Sequence, residues 1–135
     1  MTVITLSEAE KIIGAAKLKA GEMGIKVAVA VVDPRGDLVA MVRMDGAPWR
    51  SIHLCQGKAY ATAAYGVSSA ELQARADHPV ARALVMMAGG HMVPSQGALP
   101  IMRDGEMVGA VGGSGAKPEE DEEVCRAGLA AFSGT

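Results

Sequence analysis

Two short segments turn an apolar run back on itself, and they set the fold class before anything else does. Asp104-Gly105 stands between Leu99 to Arg103 and Glu106 to Val111. An Asp-Gly pair between apolar runs is the strongest short-range hairpin signal. Asp33-Pro34-Arg35-Gly36 plays the same part between Val27 to Val32 and Leu38 to Met44. Proline presets φ there, and glycine accepts positive φ. Val27 to Val32 is a continuous run of Val and Ala, which reads as a buried strand. Hairpins pair antiparallel, and helices must then cover the sheet. The expected class is α+β, not a doubly wound parallel fold.

The remaining segments read as helices. Thr5 and Glu8 have capping-box spacing ahead of Leu6, Ala9, Ile12, Ile13, Ala16 and Leu18, a period near 3.6. Gly21 and Gly24 mark the exit. Ser51 to Gly66 is helical in pattern, and Ser68 with Glu71 forms a second capping box. Pro79 opens a short apolar segment, Val80 to Ala88. Gly89-Gly90 leads into an irregular stretch, His91 to Ala98. Gly112-Gly113-Ser114-Gly115 is expected to break the sheet, and Pro118 starts a last helix at its first turn. The order is helix, hairpin, two or three helices, hairpin, helix. Residues 1–135 show no repeat or linker and read as one domain.

Composition excludes several function classes. The net charge is -2 and the basic residues are scattered, so the electrostatic footprint of a nucleic-acid binder is missing. Trp49, Tyr60, Tyr65 and Phe132 are the only large aromatic residues, too few for a base-stacking platform. No uninterrupted apolar stretch is long enough to span a bilayer. The N-terminal residues lack the basic start and apolar stretch of a signal peptide. Cys55 and Cys125 have no CxxC partner and suit reduced thiols. The expected compartment is the cytoplasm.

Several residues carry chemistry. His53 lies on the helix that follows the first hairpin, and His91 in the loop entering the second. Either could ligate a metal or move a proton near neutral pH. Trp49 and Arg50 precede that helix, and Lys58 lies along it. Arg50 could grip a carboxylate bidentately. Glu119 and Glu122 have ExxE spacing, which sets two carboxylates on one helical face. Hard cations or iron can use such a pair, although an acidic helix start equally suits the dipole. His78 precedes Pro79 and reads as a surface cap. Cys55 lies on an apolar stripe and reads as a core thiol.

Three segments together are similar to one known family. They are VAVAVVDPRGDLVAMVRMDGAP, the helix SIHLCQGKAYATAAYG, and GALPIMRDGEMVGAVGGSGAKPEEDEEVCRAGLAA. Within the helix, Lys58-Ala59 and Thr62-Ala63 take the places of the family's Lys-Ala and Thr-Ala pairs. The chain resembles the GlcG/HbpS family, which includes the C-terminal domain of PduO-type adenosyltransferases. Trp49-Arg50, His53 and the polar stretch His91 to Gln96 stand outside the shared motifs. The resemblance implies a profilin-like or PAS-like fold, with a five-stranded antiparallel sheet flanked by helices. It also implies symmetric homo-oligomers, tetramer to octamer, and a small-molecule ligand, with haem or a related tetrapyrrole as cofactor.

Two functions follow as expectations. In the first, Met41, Met44, Met86, Met87 and Met92 supply an apolar slot for haem. His53 or His91 then supplies the axial bond, and Arg50 or Lys58 meets the propionates. In the second, the chain is a cofactor-independent lyase or isomerase acting on a small anionic metabolite through Arg50, His53, Lys58 or His91.

Overall fold

The computed structural model describes residues 3–133. Helix α1 spans Leu6–Met23, and strands β1 (Ala28–Val32) and β2 (Leu38–Arg43) follow. Helices α2 (Ser51–Tyr65), α3 (Ser69–Ala74) and α4 (Pro79–Met87) come next. Strands β3 (Ala98–Arg103) and β4 (Glu106–Ser114) lead to helix α5, Pro118–Ser133. The strands form one sheet in the order β2-β1-β4-β3, with every neighbouring pair antiparallel.

The sheet has four strands among the described residues, not the five implied by family resemblance. The chain between β2 and β3 is taken up by helices. Near the N-terminus, Ile4 donates its N–H to the Val108 carbonyl at 2.9 Å. That bond continues the line of β1 beside β4, but one bond is not a ladder. Pro100 sits in β3 without penalty because β3 is an edge strand.

The turns are made as their residues dictate. Asp33 Oδ1 accepts the N–H groups of Arg35 (2.8 Å) and Asp37 (3.0 Å). Asp104 and Gly105 have φ of 52° and 79°, the paired positive values of a type I′ hairpin turn. The Thr5/Glu8 capping box is complete. Helix α1 runs through Gly21 and ends at Gly24, which is left-handed with φ of 70°. Of the second box, the structure makes one half: Ser68 Oγ accepts the Glu71 N–H at 3.3 Å.

Alternation along β1 builds two unlike layers. Val27, Val29 and Val31 join Ile12, Ile13, Val111 and Val124 in the larger core, beneath α1 and α5. Ala28, Ala30 and Val32 face the other way, against α2. Small side chains there let α2 lie close to the sheet. The closest approach is at Gly112, where an added Cβ would stand 2.2 Å from the Cys55 carbonyl oxygen. On the opposite face a Cβ at Gly113 would stand 2.9 Å from the Asp121 carbonyl oxygen. The glycine run therefore does not break the sheet. Strand β4 continues through it to Ser114 because both glycines are places of helix-on-strand contact.

Candidate functional site

Helix α2 carries Lys58 on its buried side, one position from the Cys55–Ala59–Ala63 contact with the sheet. The residue is 5% exposed. Its Nζ donates to the Gly113 carbonyl at 3.0 Å and to Asp121 Oδ2 at 3.2 Å. Asp121 sits in the first turns of α5, where Asp121, Val124, Cys125 and Gly128 form the buried stripe. Its second oxygen accepts the Ala116 N–H at 3.0 Å. Burial raises the Asp121 carboxyl above its ordinary range, while the Lys58 charge and the Ala116 N–H pull it back. Gly97 completes the enclosure: a Cβ there would stand 2.8 Å from Lys58 Nζ.

This ion pair forms part of the wall of a polar cleft of about 250 Å³ between the start of α2 and the start of α5. Arg50, Ser51, Ser95 and Ser114 add polar groups, and Leu54 and Val93 add apolar ones. A second cleft, of about 320 Å³, lies among α2, α3 and α4. Its walls are apolar, with Leu72, Ala81, Val85 and Met92 among them, and Arg75 and His78 supply its polar groups. The segment from Met92 to Ser95 separates the two. Met92 and Pro94 face the apolar cleft, while Val93 and Ser95 face the polar one. Side chains alternate along extended backbone, so one segment serves as both walls. It is fixed to α2 by the Val93 N–H, which donates to the Gly57 carbonyl at 3.1 Å.

Of the residues singled out from sequence, Arg50 and Lys58 meet in the polar cleft. His53 and His91 are exposed and line neither cleft. The His53 ring stands edge-on to Trp49, centroids 6.1 Å apart, and Trp49 is 70% exposed. The His91 ring lies 6.2 Å from that of Tyr60. Each histidine thus has its own aromatic neighbour.

The expected methionine slot does not assemble. Met92 lines the apolar cleft, and Met44 lies on a separate open surface with Lys17, Lys26 and Arg43. Met41 packs against the small cluster around Cys55, and Met86 and Met87 are exposed on α4. Met41 is in β2, Met44 just follows it, Met86 and Met87 are on α4 and Met92 lies in the segment before β3, so the five sit on separate parts of the fold.

Glu119 is exposed, and Glu122 is bonded to Arg126 at 2.9 Å. Among the described residues no group of three His, Cys, Asp or Glu side chains is arranged to hold a metal ion. Both thiols are buried. Burial pushes Cys55 up to about 12 and moves Cys125 in the same direction. His78 caps α4, its Nδ1 accepting the Val80 N–H at 3.2 Å.

Sequence reasoning missed Asp121 as the partner of Lys58, the serines of the polar cleft, and Arg75 beside the apolar one. A signal for the first was present. Asp121 occupies the core stripe of its own helix, and a carboxylate on a core stripe calls for a cation.

Residues 4–130 match the family described as haem degrading protein HbpS-like. A relative from Citrobacter freundii, an uncharacterised 15.0 kDa protein of the dhaT-dhaS intergenic region, is 33% identical over 135 residues, covering 98% of this chain and 94% of that one. The crystal structure of Klebsiella pneumoniae protein ORFY superposes with a TM-score of 0.93 at 26% identity, covering 100% of this chain and 94% of that one. A PduOC:haem complex superposes with a TM-score of 0.87 at 26% identity, covering 96% and 95%. On a match that runs nearly from end to end, the chain belongs to the HbpS-like family.

Proposed function

We propose that this protein binds haem or a related tetrapyrrole in the apolar cleft among α2, α3 and α4. The observation that carries the reading is the cleft itself: about 320 Å³, with apolar walls and few polar groups. Apolar walls with a few polar groups suit one edge of a flat macrocycle, the rest of which would project from the open cleft. The PduOC relative, similar along 96% of this chain, was solved as a haem complex.

The residues present fit such a group in two respects. Met92 faces the cleft and is 7% exposed, so its thioether is a soft donor held among apolar neighbours. Arg75 supplies a cation for a propionate; its guanidinium carbon lies 5.7 Å from the centre of the Tyr65 ring. His78 does not serve the iron while it caps α4. Its Nδ1 accepts a backbone N–H, which places the proton of the neutral ring on Nε2 and leaves no free lone pair. His91 precedes Met92, but its side chain is exposed beside Tyr60 and does not line this cleft. Bound haem would supply iron redox and ligand-binding chemistry. The chain supplies the apolar walls, the cation and the donor.

Titration with hemin tests this. A saturable Soret band at one equivalent per chain is expected. Ala81→Trp, which fills the cleft from a half-buried position, should abolish the band without unfolding the protein. Arg75→Gln should weaken binding by about tenfold, the worth of one charge-assisted hydrogen bond. A band unchanged in Ala81→Trp would place the ligand elsewhere.

A further inference from the structure

The polar cleft is lined by two serine hydroxyls that open into it and have no partner among the described residues. Ser51 is 1% exposed and Ser114 is 5% exposed, and both line the cleft. Neither hydroxyl has a hydrogen-bond partner among the described residues. Hydroxyls that face a cleft with their hydrogen-bonding capacity unused are available to a ligand that enters it. The Lys58 ammonium has three donors, and its two protein partners are the Gly113 carbonyl and Asp121. Arg50, exposed at the rim, has no carboxylate partner among the described residues.

The charges select the ligand's class. Arg50 and Lys58 contribute +2 and Asp121 contributes -1, so the lining carries +1, and no other ionisable residue among the described residues lines it. One negative charge neutralises that set. A dianion would meet the Asp121 carboxylate inside the cleft. A guanidinium fork matches the planar geometry of a carboxylate. Leu54 and Val93 offer an apolar wall, and a volume of about 250 Å³ limits the occupant to a small metabolite.

We propose that this cleft is a second binding site, distinct from the apolar one, for a small aliphatic monocarboxylate. Arg50 and the adjacent Ser51 hold the carboxylate. Its short carbon body lies against Leu54 and Val93. A second oxygen, hydroxyl or carbonyl, meets the Lys58 ammonium and the Ser114 hydroxyl at the inner end. Lys58 is neutralised by Asp121 in the resting protein, so the cleft attracts a ligand through Arg50 and discriminates through the inner donors.

Calorimetric titration of the full chain with pyruvate tests the site, with pyruvamide and inorganic phosphate as comparison probes. Saturable binding of pyruvate at one per chain is expected, with no comparable binding of the neutral amide or of phosphate. Arg50→Gln should weaken pyruvate by at least about tenfold, and Ser114→Val by about two- to tenfold. Arg50→Gln should keep the wild-type melting temperature and the wild-type hemin titration, which separates this site from the apolar cleft. No saturable pyruvate binding to the wild type would overturn the proposal. So would equal binding of phosphate, or pyruvate affinity unchanged in Arg50→Gln.

Discussion

At the scale of single residues, Lys58 and Asp121 show how a charge is carried into the interior. Each side chain is nearly sealed from solvent, at 6% and 3% exposure, and each has a second hydrogen bond besides the ion pair. Removing one partner leaves the other charge uncompensated. Lys58→Met is therefore expected to cost about 3–5 kcal/mol in urea unfolding. Adding Asp121→Leu to it should recover part of that loss. Equal losses in the single and double variants would mean that the pair is not coupled. Glu8 gives a pH test with the opposite sense of shift. The Thr5 N–H and then Arg103 hold its carboxyl below the ordinary 4.5. A lowered folded value means that its contribution is present above pH 4.5 and is lost as pH falls through the folded value. The gap in melting temperature between wild type and Glu8→Gln should accordingly close as pH drops below that range. A gap that widens in acid would reverse the assignment. Cys55, pushed up to about 12 by burial, should resist iodoacetamide at pH 8 in the native protein and react only after unfolding.

At the scale of elements, the informative contact is α2 on the sheet. A Cβ at Gly112 would meet the Cys55 carbonyl, which is backbone and cannot rotate away. Gly112→Ala should destabilise by about 1–3 kcal/mol. Gly14 is the counterexample, because a Cβ there meets nothing within 4 Å on the exposed side of α1. Gly14→Ala should stabilise by about 0.5–1 kcal/mol. Both are read from chemical denaturation, and like signs would contradict the packing described. Much of this architecture was legible in the sequence. The Thr5 box, both hairpin turns, the proline start of α5 and the order of elements are local signals, and local residues make them. The continuation of β4 through Gly112 and Gly113 was not legible. Glycines that end a strand and glycines that admit a helix look the same until the helix is placed. The polar cleft was half legible, since Arg50 and Lys58 could be named. Their companions Ser114 and Asp121 come from β4 and α5, far along the chain, and no spacing rule joins them to α2.

At the scale of the whole molecule, two clefts share one wall, and exposed apolar side chains of α4 continue from the rim of the apolar cleft onto the surface beside it. Val80, Met86 and Met87 of α4 are 60%, 81% and 81% exposed, and no residue of α4 is buried. No helix among the described residues is long and apolar enough to cross a membrane. The homo-oligomer expected from the family resemblance would cover that face, because symmetric closure hides repeated apolar patches. Sedimentation should show an assembly larger than the monomer, and Met86→Glu with Met87→Glu should reduce its size. A monomer at micromolar concentration in the wild type would contradict it. The tetrapyrrole cleft itself is tested most directly by methyl NMR of the protein titrated with hemin, since paramagnetic iron broadens nearby signals. Broadening confined to Leu72, Val80, Val85 and Met92, with Val29 and Val31 of the opposite layer unaffected, is the result expected. Broadening centred away from those four, or none at one equivalent of hemin, would contradict haem binding in this cleft.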